Sequence, residues 1–223
     1  MLRAMKSAFE PEKIVRIGIL PGQRVLIAGR TGSGKSYFAR WIARQMSGGI
    51  ILDPKSDDLW LSLPGVMVVN SYTIPPELAD PKSGIRWALL RPPPEDLDEA
   101  ARHFDAVLVE VVNGWANLAV VVDELYSLHV AGRPGPGLVA LLTRGRSRGL
   151  SAIMATQRPA WISRFCLSES DALAGFALNL SDDRRALFAI TGKKQFLERL
   201  PPREFLWYIF SSDFLARCAP IEE

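Results

Sequence analysis

The sequence is short of the residues that build disulfide frameworks and zinc sites. Its 223 residues include only two cysteines, Cys166 and Cys218, and two histidines, His103 and His129. Neither pair has the spacing of a metal-binding motif, which excludes a disulfide-rich scaffold and a zinc centre. Two lone thiols are typical of a protein that stays in a reducing cytoplasm.

Long apolar runs are also absent. Acidic residues interrupt the most apolar stretch, 106–128, and its longest uncharged run is the 12 residues 111–122. A helix that crosses a bilayer needs about 20 apolar residues. The first 11 residues have no apolar segment of the kind that secretory signals carry. We therefore expect a soluble protein without a membrane span.

The composition is that of one globular domain. Hydrophobic residues make up 48% of the chain and charged residues 23%, which excludes disorder of the whole chain. The formal net charge of +3 permits contact with a polyanion without demanding it. We expect an N-terminal arm at 1–21 and a single domain at 22–223.

Short runs of branched apolar residues alternate with amphipathic segments, a pattern that predicts an α/β fold with a largely parallel sheet. The predicted strands are 14–19, 24–28, 50–52, 66–69, 85–90, 118–122, 151–155, 176–180, 204–210 and 214–217. The predicted helices are 35–46, 95–113, 138–146 and 182–190. A loop is predicted at 132–137.

A glycine-rich turn follows the predicted strand 24–28 and matches G-x-x-x-x-G-K-[ST] in full. In such a turn the backbone N–H groups point at phosphate oxygens, the lysine contacts the β- and γ-phosphates, and the last hydroxyl can ligate Mg²⁺. The helix that begins here turns its positive end toward the same anion. The predicted nucleotide-binding residues are Gly29, Arg30, Thr31, Gly32, Ser33, Gly34, Lys35 and Ser36.

A second motif is the apolar strand 118–122, which ends in Asp123 and Glu124. Ligands of parallel sheets bind at the carboxyl ends of the strands. Asp123 is therefore placed to support Mg²⁺, and Glu124 to polarise a water molecule for attack on the γ-phosphate. Without the glycine loop, two solvated acids at a strand end would be the better interpretation. A glutamate aimed at water favours hydrolysis over transfer to a small acceptor.

A third motif is the predicted strand 151–155, which ends in Thr-Gln-Arg-Pro. If this strand neighbours the acid-bearing one, the amide of Gln157 would face the γ-phosphate and could distinguish ATP from ADP. Taken alone, Gln157 could equally be a solvated strand end.

Together these blocks resemble the HerA–FtsK superfamily of ring ATPases that move DNA. The matching segments are GRTGSGKS at 29–36, ILDPKSD at 51–57, LAVVVDE at 118–124 and GRSRGLSAIMATQRP at 145–159. The resemblance covers about 22–190 and implies a P-loop NTPase of the RecA-like (ASCE) type, with ATP and Mg²⁺ as ligands. It implies that Lys35 and Ser36 bind phosphate and metal, that Asp123 supports the metal, that Glu124 activates water and that Gln157 is the sensor.

The resemblance also implies an arginine supplied by a neighbouring subunit. Arg146 is the best match, with Arg144 and Arg148 as alternatives, and a finger of this kind requires a homo-oligomer, expected as a ring of five or six subunits. In the family's Asp-Pro-Lys-Gly-Asp block this sequence has Ser56 in place of the glycine, so no chemistry is assigned to Asp53-Pro54-Lys55.

Only 28 residues precede Gly29, too few for the β-barrel that repair-type members of the superfamily add there. We also expect no room for the membrane spans and the winged helix of septum members. A bare core of this size is most similar to the genome-packaging ATPases of viruses. The expected partners are then double-stranded DNA and a capsid vertex protein, in the host cytoplasm or on the virion. Arg133, in the predicted loop, is a candidate for DNA contact or simply a surface residue. The alternative functions are a phage assembly or secretion factor and a small-molecule P-loop kinase.

Overall fold

The computed structural model describes residues 3–6, 14–130 and 132–221. The strands are β1 Arg3–Lys6, β2 Ile14–Ile17, β3 Arg24–Ala28, β4 Gly49–Leu52, β5 Val66–Val69, β6 Trp87–Leu90, β7 Ala119–Val122, β8 His129–Val130, β9 Arg133–Pro134, β10 Ser151–Thr156, β11 Ala172–Phe176, β12 Phe205–Ile209 and β13 Phe214–Cys218. The α-helices are α1 Lys35–Ala43, α2 Leu97–Gly114, α3 Pro136–Arg144, α4 Arg164–Ser168 and α5 Ser181–Thr191.

Nine strands form one central sheet in the order β13-β12-β11-β3-β10-β7-β4-β6-β5. The seven strands from β11 to β5 pair in parallel, whereas β12 and β13 are antiparallel to their neighbours. This confirms the predicted α/β class with a mostly parallel central sheet. The register brings Ala28 level with Thr156, and Val122 level with both Met154 and Leu52. The loops after β3, β4, β7 and β10 therefore emerge at one edge of the sheet.

Both faces of the sheet are covered, which explains why its strands are near-continuous apolar runs. On one face α1 packs through Phe38 and Ile42, and Phe38 lies against Phe205 with ring centroids 4.8 Å apart. On the other face α2 and α3 bury Phe104 and Leu138 in a second core cluster. Successive residues of one strand serve opposite faces, as the alternation of Val25 and Leu26 between the clusters shows.

The structure corrects three details of the sequence-based assignment. The strand expected at 176–180 lies four residues earlier, as β11. The expected loop 132–137 contains β9 and the first residues of α3. The spacing of the apolar residues in the predicted helix 35–46 places Arg40 on its polar face, but in the structure Arg40 is buried and donates to the Ser62 hydroxyl at 2.6 Å. The other predicted elements lie within a few residues of their expected bounds.

The negative expectations concern cysteines, metals and membrane spans. Cys166 and Cys218 are both free and buried, and burial raises the pKa of each thiol to about 12. Within the described part of the chain there is no cluster of three or more histidine, cysteine or acidic residues that could hold a metal by itself. None of the helices in the same part is long and apolar enough to traverse a bilayer.

Candidate active site

The candidate site lies at the edge of the sheet where the parallel strands end. The glycine loop follows β3, Lys55 follows β4, Asp123 and Glu124 follow β7, and Gln157 follows β10. These strands are neighbours in the order β3-β10-β7-β4. The predicted motifs are therefore brought together, and the expectation that β10 neighbours the acid-bearing strand is confirmed.

The glycine loop is closely packed at its first residue, Gly29, and lines the pocket where α1 begins. A side chain at Gly29 would put a Cβ within 2.5 Å of Ser33 Oγ and 2.7 Å of Phe176 Cβ, so this position must be glycine. Gly34 has φ of 103° and precedes α1 without any side-chain cap. The first turn of a helix has N–H groups without intrahelical acceptors, and here those of α1 face the pocket.

The pocket beside the loop has a volume of about 500 Å³. Its polar lining includes Thr31, Lys35, Ser36, Asp123 and Gln157, all of them predicted site residues. Lys35 is only 5% exposed. Burial, followed by the charge of Lys55, lowers the pKa of Lys35, although Asp123 and Glu124 oppose the shift. An anion bound here would restore the environment in which the Lys35 ammonium is favoured.

Asp123 is the least satisfied polar group of the pocket. It is fully buried, and neither of its carboxylate oxygens accepts a hydrogen bond from any part of the chain that the structure describes. Burial raises the pKa of Asp123, and only the nearby lysines counter this effect substantially. Buried carboxylates are normally paired or bound to a metal. Together with the Ser36 hydroxyl, Asp123 offers the oxygen ligands that Mg²⁺ prefers, so these residues fit a magnesium ion.

Gln157 connects the glycine loop to Glu124. Its side-chain oxygen accepts a hydrogen bond from the Thr31 hydroxyl at 2.7 Å, and its backbone N–H donates to Glu124 Oε1 at 3.4 Å. A change in the glycine loop can thus reach Glu124 through one residue. The interpretation of Gln157 as a merely solvated strand end does not account for these two contacts.

Lys55 is the site residue that the sequence reasoning left without a role. Its ammonium lies 2.9 Å from Glu124 Oε2 and 3.7 Å from Asp123 Oδ2. The signal was present in the sequence, because Asp-Pro-Lys follows an apolar strand that ends at the same edge. The departure from the family's block at Ser56 obscured it.

Part of the pocket lining was not predicted. It comprises Phe176, Arg203, Pro220 and Ile221, together with Tyr37 of α1. Pro220 and Ile221 come from the segment after β13, whose position depends on two antiparallel pairings far along the chain. No local pattern in the sequence announces such a contribution.

The three candidate finger arginines lie away from this pocket. They precede β10, whereas the pocket lies at its other end, six residues or about 20 Å away. Arg146 is 57% exposed and forms an ion pair with Asp171, which also binds Arg24. Arg148 donates to the Trp115 carbonyl oxygen at 2.9 Å, and Arg144 is exposed. None of them can serve the pocket of its own subunit.

The fold and the pocket define a class, the P-loop ATPases, in which a glycine loop and an acidic strand end face the same nucleotide. Known proteins identify the family within that class. The model described as "Helicase HerA, central domain" matches residues 15–125. The DNA packaging ATPase P9 of Enterobacteria phage PRD1 is 33% identical over 169 residues, which cover 74% of this chain and 68% of the relative. The chain belongs to the HerA–FtsK superfamily and groups there with viral genome-packaging ATPases.

Further relatives agree with this family. Protein P9 of Pseudoalteromonas phage PM2 is 28% identical over 197 residues, covering 85% of this chain and 86% of the relative. The genome packaging NTPase B204 from Sulfolobus turreted icosahedral virus 2 has the same fold, with a TM-score of 0.70 at 18% identity. That match covers 92% of this chain and all of B204, and B204 has also been solved with AMPPCP.

Proposed function

We propose that this chain is the ATP-hydrolysing motor that drives double-stranded DNA into a preformed viral capsid. The observation that carries the proposal is the buried Asp123, whose carboxylate oxygens accept no hydrogen bond from the described residues, next to Glu124 and facing a glycine loop, in a chain related to a DNA packaging ATPase. Residues 22–223 would form the motor domain, preceded by an arm at 1–21. The motor would work in the host cytoplasm or on the virion, with a capsid vertex protein as its docking partner.

The pocket supports a division of labour among its residues. The N–H groups of 29–34 and the first turn of α1 bind the phosphates, and Lys35 neutralises them. Ser36 and Asp123 would hold a Mg²⁺ ion, which supplies charge neutralisation on the β- and γ-phosphates. The nucleobase of ATP would pack against Phe176 and Ile221, which also line the pocket.

Glu124 is assigned as the general base. It accepts a proton from a water molecule whose oxygen attacks the γ-phosphorus, while the bond to the bridging oxygen breaks and its electron pair leaves with ADP. Gln157 reports the state of the γ-phosphate to Glu124 through its contact with Thr31. The charge that develops on the transferring phosphoryl group is stabilised by Arg146 of a neighbouring subunit.

This assignment requires a neighbouring subunit, which we expect to be arranged in a ring, because Arg146 lies at the edge of the sheet opposite its own pocket. A ring of five or six subunits encloses a channel, and duplex DNA there is bound through its phosphates. Arg133 is exposed at the start of β9 and is our candidate for a channel contact.

The test is ATPase activity with and without double-stranded DNA, in the wild type and in Glu124→Gln. We expect DNA to stimulate the wild type, and the variant to bind ATP but lose hydrolysis by about 10²-fold or more. Glu110→Gln, on the exposed side of α2, is the matched control and should retain full activity. Retained turnover in Glu124→Gln would remove Glu124 from this role.

The same assay separates the two alternative functions. Phosphate that appears on a small acceptor instead of in water would indicate a kinase. Binding to membranes in preference to duplex DNA would indicate an assembly or secretion factor.

A further inference from the structure

Lys55 occupies the position between the two acids on which the proposed chemistry depends. Its ammonium donates to Glu124 Oε2 at 2.9 Å and to the Asp123 backbone oxygen at 3.4 Å, and it lies 3.7 Å from Asp123 Oδ2. The side chains of Asp123 and Glu124 are only 1% and 12% exposed, and Lys55 forms an ion pair with each of them.

The backbone that carries Lys55 is held by a buried ion pair. Asp53, fully buried, accepts a hydrogen bond from Arg91 Nε at 2.8 Å and another from the Lys55 N–H at 3.2 Å. Arg91 also binds Asp58 at 3.1 Å and the Asp57 carbonyl oxygen. Burying an ion pair carries a large desolvation cost, which is offset only when the geometry is fixed by several hydrogen bonds. The scaffold therefore fixes the backbone of Lys55, whereas its side chain, 34% exposed, keeps freedom to turn.

Both oxygens of Glu124 are engaged in this arrangement. Oε1 accepts the Gln157 N–H at 3.4 Å and Oε2 accepts the Lys55 ammonium at 2.9 Å. A general base needs a free oxygen within hydrogen-bond reach of the proton it takes. With Lys55 in this position, the ammonium occupies one of the two lone pairs of Glu124 Oε2, which restricts the directions from which a water molecule can donate a proton to it.

A bound triphosphate changes the balance of charge around Lys55. The charged residues that line the pocket are the cations Lys35, Lys55 and Arg203 and the acids Asp57 and Asp123, and Glu124 lies beside Lys55. A γ-phosphate would add negative charge at the mouth of the pocket. The Lys55 ammonium would then have a stronger acceptor than the Glu124 carboxylate within the reach of its flexible side chain.

We propose that Lys55 is a positioning residue that couples the arrival of the γ-phosphate to the release of the catalytic base. Without the triphosphate, Lys55 holds Glu124 Oε2. When the triphosphate binds, the ammonium moves to a γ-phosphate oxygen, and Oε2 becomes free to accept the proton of the attacking water. The diphosphate offers no such oxygen, so Lys55 returns to Glu124 after the product phosphate leaves. This inference rests on the proposed role of Glu124 as the base.

The test compares the binding of two nucleotides, ADP and the non-hydrolysable analogue AMPPCP, by calorimetry with Mg²⁺ present. Lys55→Met keeps the length of the side chain and removes its charge. We expect it to weaken AMPPCP binding by about 10-fold, the scale of one charge-assisted contact, and to change ADP binding by less than about 2-fold. Lys55→Arg should restore most of the preference for AMPPCP. Lys82→Met, an exposed lysine in a surface turn, is the matched control and should bind both nucleotides like the wild type.

Each outcome decides the proposal. An equal loss of ADP and AMPPCP binding in Lys55→Met would indicate a merely structural lysine and would overturn it, as would an unchanged or higher affinity for AMPPCP. Thermal unfolding of each variant verifies that the comparison is made on folded protein. Because the readout is binding, it stays valid if Glu124→Gln retains turnover, so failure of the base assignment and failure of the Lys55 proposal are distinguishable.

Discussion

At the scale of single residues, two buried aspartates differ in the hydrogen bonds that their carboxylates accept, and this difference distinguishes a ligand-binding role from a structural one. Asp123 is fully buried and neither of its carboxylate oxygens accepts a hydrogen bond from the described residues. Asp105 is 6% exposed, and its two oxygens accept the N–H groups of Gly137 and Leu138, each at 2.9 Å. A carboxylate kept buried without hydrogen-bond donors destabilises the fold unless a ligand compensates it. Asp105, by contrast, is fully used by the fold.

We therefore expect Asp123→Asn to leave the free energy of unfolding unchanged or slightly higher, because it removes a buried charge that burial disfavours. The same change should remove the dependence of nucleotide binding on Mg²⁺, since a metal ligand is lost. Urea denaturation in the presence of EDTA measures the first effect, and nucleotide titration with and without Mg²⁺ the second. A variant that is destabilised by several kcal/mol and still binds nucleotide in a Mg²⁺-dependent manner would contradict the assignment.

The sequence predicts most of the site residues at this scale but not their full set. Lys35, Asp123 and Gln157 are predicted because each belongs to a motif that directly follows a strand, and these strands end at the same edge of the sheet. Arg203 and Ile221 could not be identified, because their place in the pocket depends on the antiparallel strands β12 and β13. Spatial proximity of this kind is a property of the whole sheet and leaves no local pattern.

At the scale of the elements, α2 and α3 are joined by the carboxylate of Asp105. Helix α3 begins after Gly135 without a side-chain cap of its own, and Asp105 from α2 caps its first turn. Gly137 approaches α2 so closely that a Cβ would lie 2.2 Å from the Asp105 carbonyl oxygen. Gly135 and Gly137, two of the three glycines that predicted a loop at 132–137, are therefore explained by close packing of the start of a helix, and α3 begins earlier than its sequence suggests.

The expected result for Asp105→Asn is a loss of about 2 kcal/mol in the free energy of unfolding, since the amide has a single oxygen acceptor and its NH₂ group meets a backbone donor. Nucleotide affinity should stay within about 2-fold of the wild type, because α2 and α3 do not line the pocket. Urea midpoints and nucleotide titrations measure the two quantities. If the Asp105→Asn variant had the same free energy of unfolding as the Asp123→Asn variant, the proposed difference between a structural and a ligand-binding aspartate would be contradicted.

Strand β11 shows where element prediction fails. Its sequence, ALAGF, contains alanine and glycine, which are poor strand formers, whereas the segment FALNL at 176–180, which overlaps it at Phe176, has three large apolar side chains instead of two. Pairing decides the outcome: β11 is held between β3 and β12, and Gly175 accommodates Phe196, which a Cβ would approach within 2.6 Å. Because pairing with β3 and β12 sets the position of β11, its bounds cannot be predicted from its own sequence alone.

At the scale of the whole molecule, the account depends on active sites shared between subunits. The pocket is at the carboxyl edge of the sheet and Arg146 is at the opposite edge, so in the proposed ring one subunit would supply the nucleotide site and the next would supply the arginine. Asp171, the partner of Arg146, keeps its contacts with Arg24 when Arg146 is removed. Substitution of Arg146 is therefore expected to leave the fold intact.

The most direct measurement is ATP hydrolysis by mixtures of two inactive variants, Arg146→Ala and Lys35→Ala, in the presence of duplex DNA. Each variant alone should lose about 10³-fold or more in hydrolysis, and Arg146→Ala should still bind ATP. In an equal mixture, roughly a quarter of the junctions pair an intact pocket with an intact arginine, and activity should recover toward that share. Parallel mixtures with Arg144→Ala and Arg148→Ala identify which arginine acts. If no mixing ratio recovers activity with any of the three arginines, the shared site, and with it the ring motor, is contradicted.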